Sequence, residues 1–311
     1  MKKHLNTRVL PSIPWLLFFF IIYSGWQPAT AQVSKLTANG ALVEKVAEGF
    51  KFTEGPAVDA AGNVFFTDQP NNQILKYSTG GELSVFHSAP GRANGMYFDK
   101  DGRLWSCSDE NNEIWIFNPD GTYEILISDL NGLKFNGPND LWIAPDGSVF
   151  FTDPLYKRPW WEGKRSPEMQ MKGQYVYYLA PGSKQPVEIV NDLTQPNGIL
   201  GTPDGKILYI ADIGAGKTYR YDIGANGTLS NKTLFTEMGS DGMTLDNKGN
   251  IYLTGKKGVT VFNKKGEEVG LIAIDANWTA NVCFGGADMK TLFVTSMDGL
   301  YAIKMKVKGV R

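Results

Sequence analysis

The sequence predicts an all-β fold, a six-bladed β-propeller closed by its N-terminal strand. Three observations carry that expectation. A tight turn followed by an alternating aromatic and β-branched run occurs six times, at 59–68, 99–109, 145–153, 203–212, 246–255 and 287–296. The turns, at Gly62, Gly102, Gly147, Gly205, Gly249 and a degenerate Met289, lie 40 to 58 residues apart, the usual length of a propeller blade. The last repeat reaches the C-terminus one strand short, whereas LVEKVAEGF (42–50) has strand character and no hairpin partner.

Each repeat breaks down the same way. Turn signals such as DAAGN and PDGS favour hairpins, and the run after each has the period-two alternation of a half-buried strand. A second strand follows in NQILKYS (72–78), NEIWIFN (112–118), QYVYYLA (174–180), KTYRYDI (217–223), GVTVFNK (258–264) and GLYAIKM (299–305). A third run leads to the next repeat, as in SVFHSA (84–89) and EILISDL (124–130). With the strand ahead of each turn, every repeat has four. The segment 42–50 then supplies the strand that the sixth lacks.

The first 31 residues read differently. Lys2, Lys3 and Arg8 precede a short apolar core, PWLLFFFIIYSGW, and Ala29-Thr30-Ala31 precedes Gln32. That is the pattern of a signal peptide over 1–31, since the apolar run is shorter than the roughly 20 residues a spanning helix needs. The mature chain, 32–311, is expected to be secreted or periplasmic, with no membrane anchor. Cys107 and Cys283 fall in repeats two and six, which are not neighbours, so two unpaired buried thiols are expected.

Charge narrows the partners. Lys+Arg (31) and Asp+Glu (32) nearly cancel and no basic run marks the body of the chain, which argues against nucleic acid. A serine hydrolase is disfavoured too: G-x-S-x-G is absent, and His87, on a strand, is the one histidine after the leader. ADIGAGKT (211–218) imitates a phosphate loop, yet its first glycine position is Ala211 and it joins two strands.

Chemistry concentrates at one register position. Eight residues before each turn stand Glu54, Asn94, Asn139, Asn197, Asp241 and, before Met289, Asn281. All six bear oxygen, and in a propeller that position opens the innermost strand, so the six ring one end of the central channel. Crowded carboxylates and amides there are unsatisfied or mutually repulsive without a cation. Oxygen donors with two negative charges suit Ca²⁺ over zinc. Asn136 has the wrong offset, and strand alternation turns Asp140 the other way. Strand direction places the loop 154–173, with Tyr156, Trp160 and Trp161, beside the ring as a lid; Arg92 and Trp278 are further candidates at the mouth.

TEGPAV (53–58), GRANGMYFD (91–99), NGPNDLWIAPDG (136–147), FTDPLY (151–156), QPNG (195–198), SDGM (240–243) and NVCFGG (281–286) together resemble the SMP-30/gluconolactonase/luciferin-regenerating-enzyme-like family. The resemblance implies a divalent metal, Ca²⁺ with Mg²⁺, Mn²⁺ or Zn²⁺ as alternatives, held by Glu54, Asn139, Asn197 and Asp241. It leaves Asn94, Asn281, Arg92, Tyr156 and Trp160 as contacts to a small-molecule substrate. It implies hydrolysis of a lactone, a sugar lactone such as gluconolactone, with the cation polarising the carbonyl and Asp241 as general base or nucleophile. Two alternatives stay open: phosphotriester hydrolysis at the same metal, and a non-catalytic scaffold that the metal holds together.

Overall fold

The computed structural model describes Met1 and residues 33–310; the expected leader and its cleavage point at Gln32 otherwise lie outside the described residues. Six four-stranded antiparallel sheets follow one another along the chain. Blade one runs through Thr53–Val58, Val64–Asp68, Gln73–Tyr77 and Leu83–His87, and the inner strands of the next five are Ala93–Phe98, Leu141–Ile143, Pro196–Gly201, Met243–Leu245 and Asn281–Gly285.

Blade six is closed as the sequence implied. Glu44–Glu48 pairs antiparallel with Gly299–Lys304, Glu44 opposite Ala302 and Glu48 opposite Gly299, with a bulge between Lys45 and Ala47. The ring of blades is thereby joined by hydrogen bonds between its two ends.

Packing explains the aromatic runs. Each blade presses both faces against neighbours, so strands such as Val64–Asp68 and Val149–Asp153 are buried along their whole length. Six apolar clusters result, one between each pair of successive blades. Phe65, Ile74, Met96, Leu104 and Trp115 fill the one between blades one and two, and Val64, Phe66, Cys283, Phe293 and Leu300 fill the one between six and one. Fully burying a side chain of this size contributes roughly 1.5–3 kcal/mol, so the interfaces rather than the hairpins hold the ring.

The hairpin turns need a left-handed residue. Five use glycine, and in the sixth Met289 itself takes φ 58°, showing that backbone geometry is kept where the sequence signal fades. Cys107 and Cys283 are unpaired and buried, as expected, and burial pushes both thiols up, out of the reactive range. His87 ends the outer strand of blade one against Phe117 and Tyr123. Residues 211–218 form a strand–turn–strand connection in blade four.

Candidate active site

All six register positions are buried: Glu54, Asn94, Asn139, Asn197, Asp241 and Asn281 are each at most 7% exposed. The inner strands converge so tightly that four of these residues are followed by glycine. A Cβ on Gly55 would lie 1.8 Å from the Asn94 carbonyl oxygen, and one on Gly95 would lie 2.4 Å from Asp140 Oδ1. Any side chain there would push the blades apart.

Two devices aim the ring residues. In blades one, two and four the pairing register breaks at Glu54–Ala57, Ala93–Met96 and Pro196–Ile199, so Glu54, Asn94 and Asn197 sit in or beside bulges; Asn139 and Asp241 precede their paired strands. Bulges redirect side chains, so the strict alternation expected of these strands does not hold at the ring. The second device is an aspartate ending the neighbouring strand. Asp153 accepts from the Asn136 and Gly137 N–H groups at 2.9 and 2.8 Å, Asp212 from those of Thr194 and Gln195, and Asp68 from those of Lys51 and Phe52. Each carboxylate clamps the backbone two or three residues before a ring position. That role was missed in the sequence, although the aspartate recurs in the VFFTD, VFFTD and IAD runs.

Blade-to-blade bonds complete the frame. Thr152 Oγ1 donates to the Asn197 carbonyl at 2.7 Å, and Thr254 Oγ1 to that of Ala280 at 2.8 Å.

Two of the expected ligands, Asn197 and Asp241, meet. Asn197 Nδ2 donates to Asp241 Oδ1 and to the Tyr156 hydroxyl, both at 2.6 Å, while Trp278 Nε1 donates to Asp241 Oδ2 at 2.8 Å. With its amide nitrogen so engaged, Asn197 Oδ1 has no partner, and neither does Glu54 Oε1; both are buried acceptors. Burial, with the Asp241 charge adding, holds the Glu54 carboxyl well above the usual range. Burial raises Asp241 as well, opposed by hydrogen bonds from Trp278 and Asn197 and by the Arg158 charge. Two buried carboxyls that repel, with Glu54 Oε1 and the neighbouring Asn197 Oδ1 both lacking a donor, form a donor set that fits a hard divalent cation. Among the described residues no three His, Cys, Asp or Glu side chains gather as a metal cluster, so any site here needs the asparagine oxygens.

The remaining candidates separate. Tyr156, in the 154–173 loop, reaches the ring through its hydroxyl, and burial pushes its phenol up. Trp160 lies 6.0 Å from the Phe52 ring with its indole Nε1 buried and unpartnered. Asn94 is buried in the blade-two bulge. Arg92 is not brought to the ring: its Nη1 donates to the carbonyls of Gln69 and Pro70, and its Nε pairs with Glu110 at 3.1 Å, tying blade one to blade two. Asn281 folds back, its Oδ1 accepting from the Val282 N–H at 2.8 Å, and together with Asp140 it lines a cavity of about 660 Å³ bordered by the hairpin turns. Asp140 thus lines a cavity that none of the four expected ligands lines, yet burial pushes its carboxyl to about 7, with Asp241 adding to the rise. Asn136 is structural, its Nδ2 donating to the carbonyls of Asp153 and Gly173.

The lid is pinned. Arg165 is 5% exposed at its side chain, pairs with Asp109, donates to the carbonyls of Asp109 and Tyr156, and stacks 3.8 Å from the Trp161 ring centroid. Arg158 on the same loop was not singled out from the sequence, because nothing in its neighbourhood distinguishes it from Lys157 or Lys164.

Comparison with known proteins places this geometry. A model of the SMP-30/gluconolactonase/LRE-like region matches residues 52–298. A gluconolactonase of Zymomonas mobilis is 27% identical over 295 residues, covering 86% of this chain and 82% of the relative. The diisopropyl-fluorophosphatase of Loligo vulgaris is 26% identical over 284 residues, covering 83% and 89%. A solved gluconolactonase from Xanthomonas campestris superposes with a TM-score of 0.81 at 25% identity, over 88% of this chain and 92% of that one.

Proposed function

The chain belongs to the SMP-30/gluconolactonase/LRE-like family, and from that premise we propose that it is an exported, metal-dependent lactonase that opens a lactone ring, a sugar lactone such as gluconolactone. The observation that carries the metal dependence is the pair of buried, partnerless acceptors, Glu54 Oε1 and Asn197 Oδ1, beside the Asp241 carboxyl. Glu54, Asn139, Asn197 and Asp241 would hold the cation, and their oxygen chemistry favours Ca²⁺. When bound, the cation supplies Lewis acidity toward the ring carbonyl.

The protein's own groups divide the remaining work. Trp278 and Asn197 fix both oxygens of Asp241 by hydrogen bonds that favour its ionised form, so this carboxylate is set to take a proton from the attacking water. Glu54, whose Oε1 is one of the two buried acceptors without a partner, serves as ligand. Tyr156 holds the Asn197 amide in place, and the loop around it limits water entry.

A second reading, phosphotriester hydrolysis at the same ring, is favoured by the similarity to a fluorophosphatase. The test is an assay of gluconolactone and an aryl phosphotriester side by side, after chelation and re-addition of Ca²⁺, Mg²⁺, Mn²⁺ or Zn²⁺. Lactone turnover that returns with metal and is lost in Asp241→Asn supports the lactonase. Turnover of the phosphotriester alone favours the second reading, and no turnover with any metal sinks both.

A further inference from the structure

Among the cations of the 154–173 loop, Arg158 is the one that is both shielded from solvent and without an ion pair among the described residues: Lys157 and Lys172 are exposed, Lys164 reaches Glu110 and Arg165 reaches Asp109. Three rings surround its guanidinium, with Cζ 4.5 Å from the centroid of Tyr156, 5.6 Å from Phe52 and 5.7 Å from Trp160. Aromatic faces stabilise the flat of a guanidinium but do not receive its N–H edge. Arg158 Nε is buried without a hydrogen-bond partner, and the residue takes part in none of the ion pairs among the described residues. Arg165, on the same loop, differs: Asp109 neutralises it inside the protein.

The cage places Arg158 beside the ring. Tyr156, the nearest of its three aromatics, bonds through its hydroxyl to Asn197, which bonds to Asp241; Phe52 is two residues from Glu54. Glu54 and Asp241 both feel its charge, as does Asp109, already paired. A divalent cation held by Glu54 and Asp241 would balance their two charges and leave Arg158, beside them, without a carboxylate to pair with. A neutral lactone does not supply the missing anion.

We propose that Arg158 is a specificity-determining residue that selects lactones carrying an anionic substituent, a carboxylate or phosphate remote from the ring carbonyl, by offering it the unpaired guanidinium edge. The proposal rests on the lactonase reading for the identity of the reacting group, and on the cage geometry for the anion.

The experiment measures binding of product acids to the calcium-loaded protein by calorimetry. Gluconate has one anionic group; glucarate adds a carboxylate and phosphogluconate a phosphate, so the two arms separate the sources of the second charge. In the unaltered protein at least one doubly anionic acid is expected to bind roughly tenfold to a hundredfold more tightly than gluconate, the size of one hydrogen bond to a charged group. In Arg158→Gln that ratio falls to about one. Arg158→Lys keeps part of it, since a point charge remains without the planar fork, and this separates loss of recognition from a misfolded lid. A ratio near one in the unaltered protein for both acids, or a ratio that survives in Arg158→Gln, overturns the proposal. Absence of turnover for every lactone would instead sink the hydrolase reading, and the binding ratio would still decide the role of Arg158.

Discussion

Asn197 gives its side-chain N–H groups to Asp241 Oδ1 and the Tyr156 hydroxyl, both at 2.6 Å, and so presents its side-chain oxygen Oδ1, buried and unpartnered, beside the carboxylate. A carboxylate can only accept, which fixes the orientation of the amide. The side-chain oxygen is therefore aimed by bonds to the nitrogen.

Loss of the Tyr156 hydroxyl should loosen that aim. Tyr156→Phe is expected to weaken calcium binding about tenfold, in the range seen when partners of metal ligands are removed. Calorimetric titration with Ca²⁺ measures it; unchanged affinity would show that Asp241 alone orients the amide.

Glu54→Gln should have opposite effects with and without metal. The raised Glu54 carboxyl means that the folded state resists ionisation, so in the metal-free protein it loses stability as pH rises past the unfolded carboxylate value. In chelator at pH 8, Glu54→Gln is expected to unfold at a higher temperature than the unaltered protein. At calcium a hundredfold above Kd, the unaltered protein gains about 2.7 kcal/mol and overtakes it.

Trp278→Phe removes the donor to Asp241 Oδ2 while keeping an aromatic ring. Because that bond favours the ionised carboxylate, its loss should shift the acid limb of the kcat profile to higher pH and lower kcat about tenfold near neutrality. A flat fall in rate with no shift in the profile would assign Trp278 to packing alone.

Breaking the buried Arg165–Asp109 pair leaves an unpaired charge. Arg165→Met is expected to cost about 3–5 kcal/mol if the lid stays closed, or to release residues 154–173 to proteolysis if it does not. Denaturant unfolding combined with limited trypsin digestion distinguishes the two.

Asp109 also sets a pH dependence. Burial, opposed by Arg165, brings its carboxyl to about 6, above the unfolded value, so between about pH 4 and 6 the folded state binds the extra proton. Stability from this group is fully present below that window and is lost as pH rises through it, by at most about 3 kcal/mol. Asp109→Asn should flatten this part of the stability curve at constant calcium, and an identical slope in the two proteins would exclude the assignment.

The blade count, the closing strand 42–50 and the six register positions were legible because repeats impose a fixed offset on the chain, and an offset needs no tertiary contacts to be seen. Alternation separates Asp140 from Asn139, and Asp140 lines the cavity while Asn139 does not. Asn281 is buried at its register position, where its side chain lies against Gly242 and its Oδ1 accepts from the Val282 N–H.

Sequence by itself determined the fold and which residues could face the channel, since alternation and spacing are properties of the chain alone. Tertiary structure decided what those residues do. Bulges at Glu54, Asn94 and Asn197 depend on how closely the inner strands converge, and the clamps at Asp68, Asp153 and Asp212 depend on loops folding back over strand ends. The contrast between Arg165 and Arg158 has the same origin. Both are loop arginines in the sequence, and only the packed lid gives one a carboxylate and the other three aromatic faces with an unpaired edge.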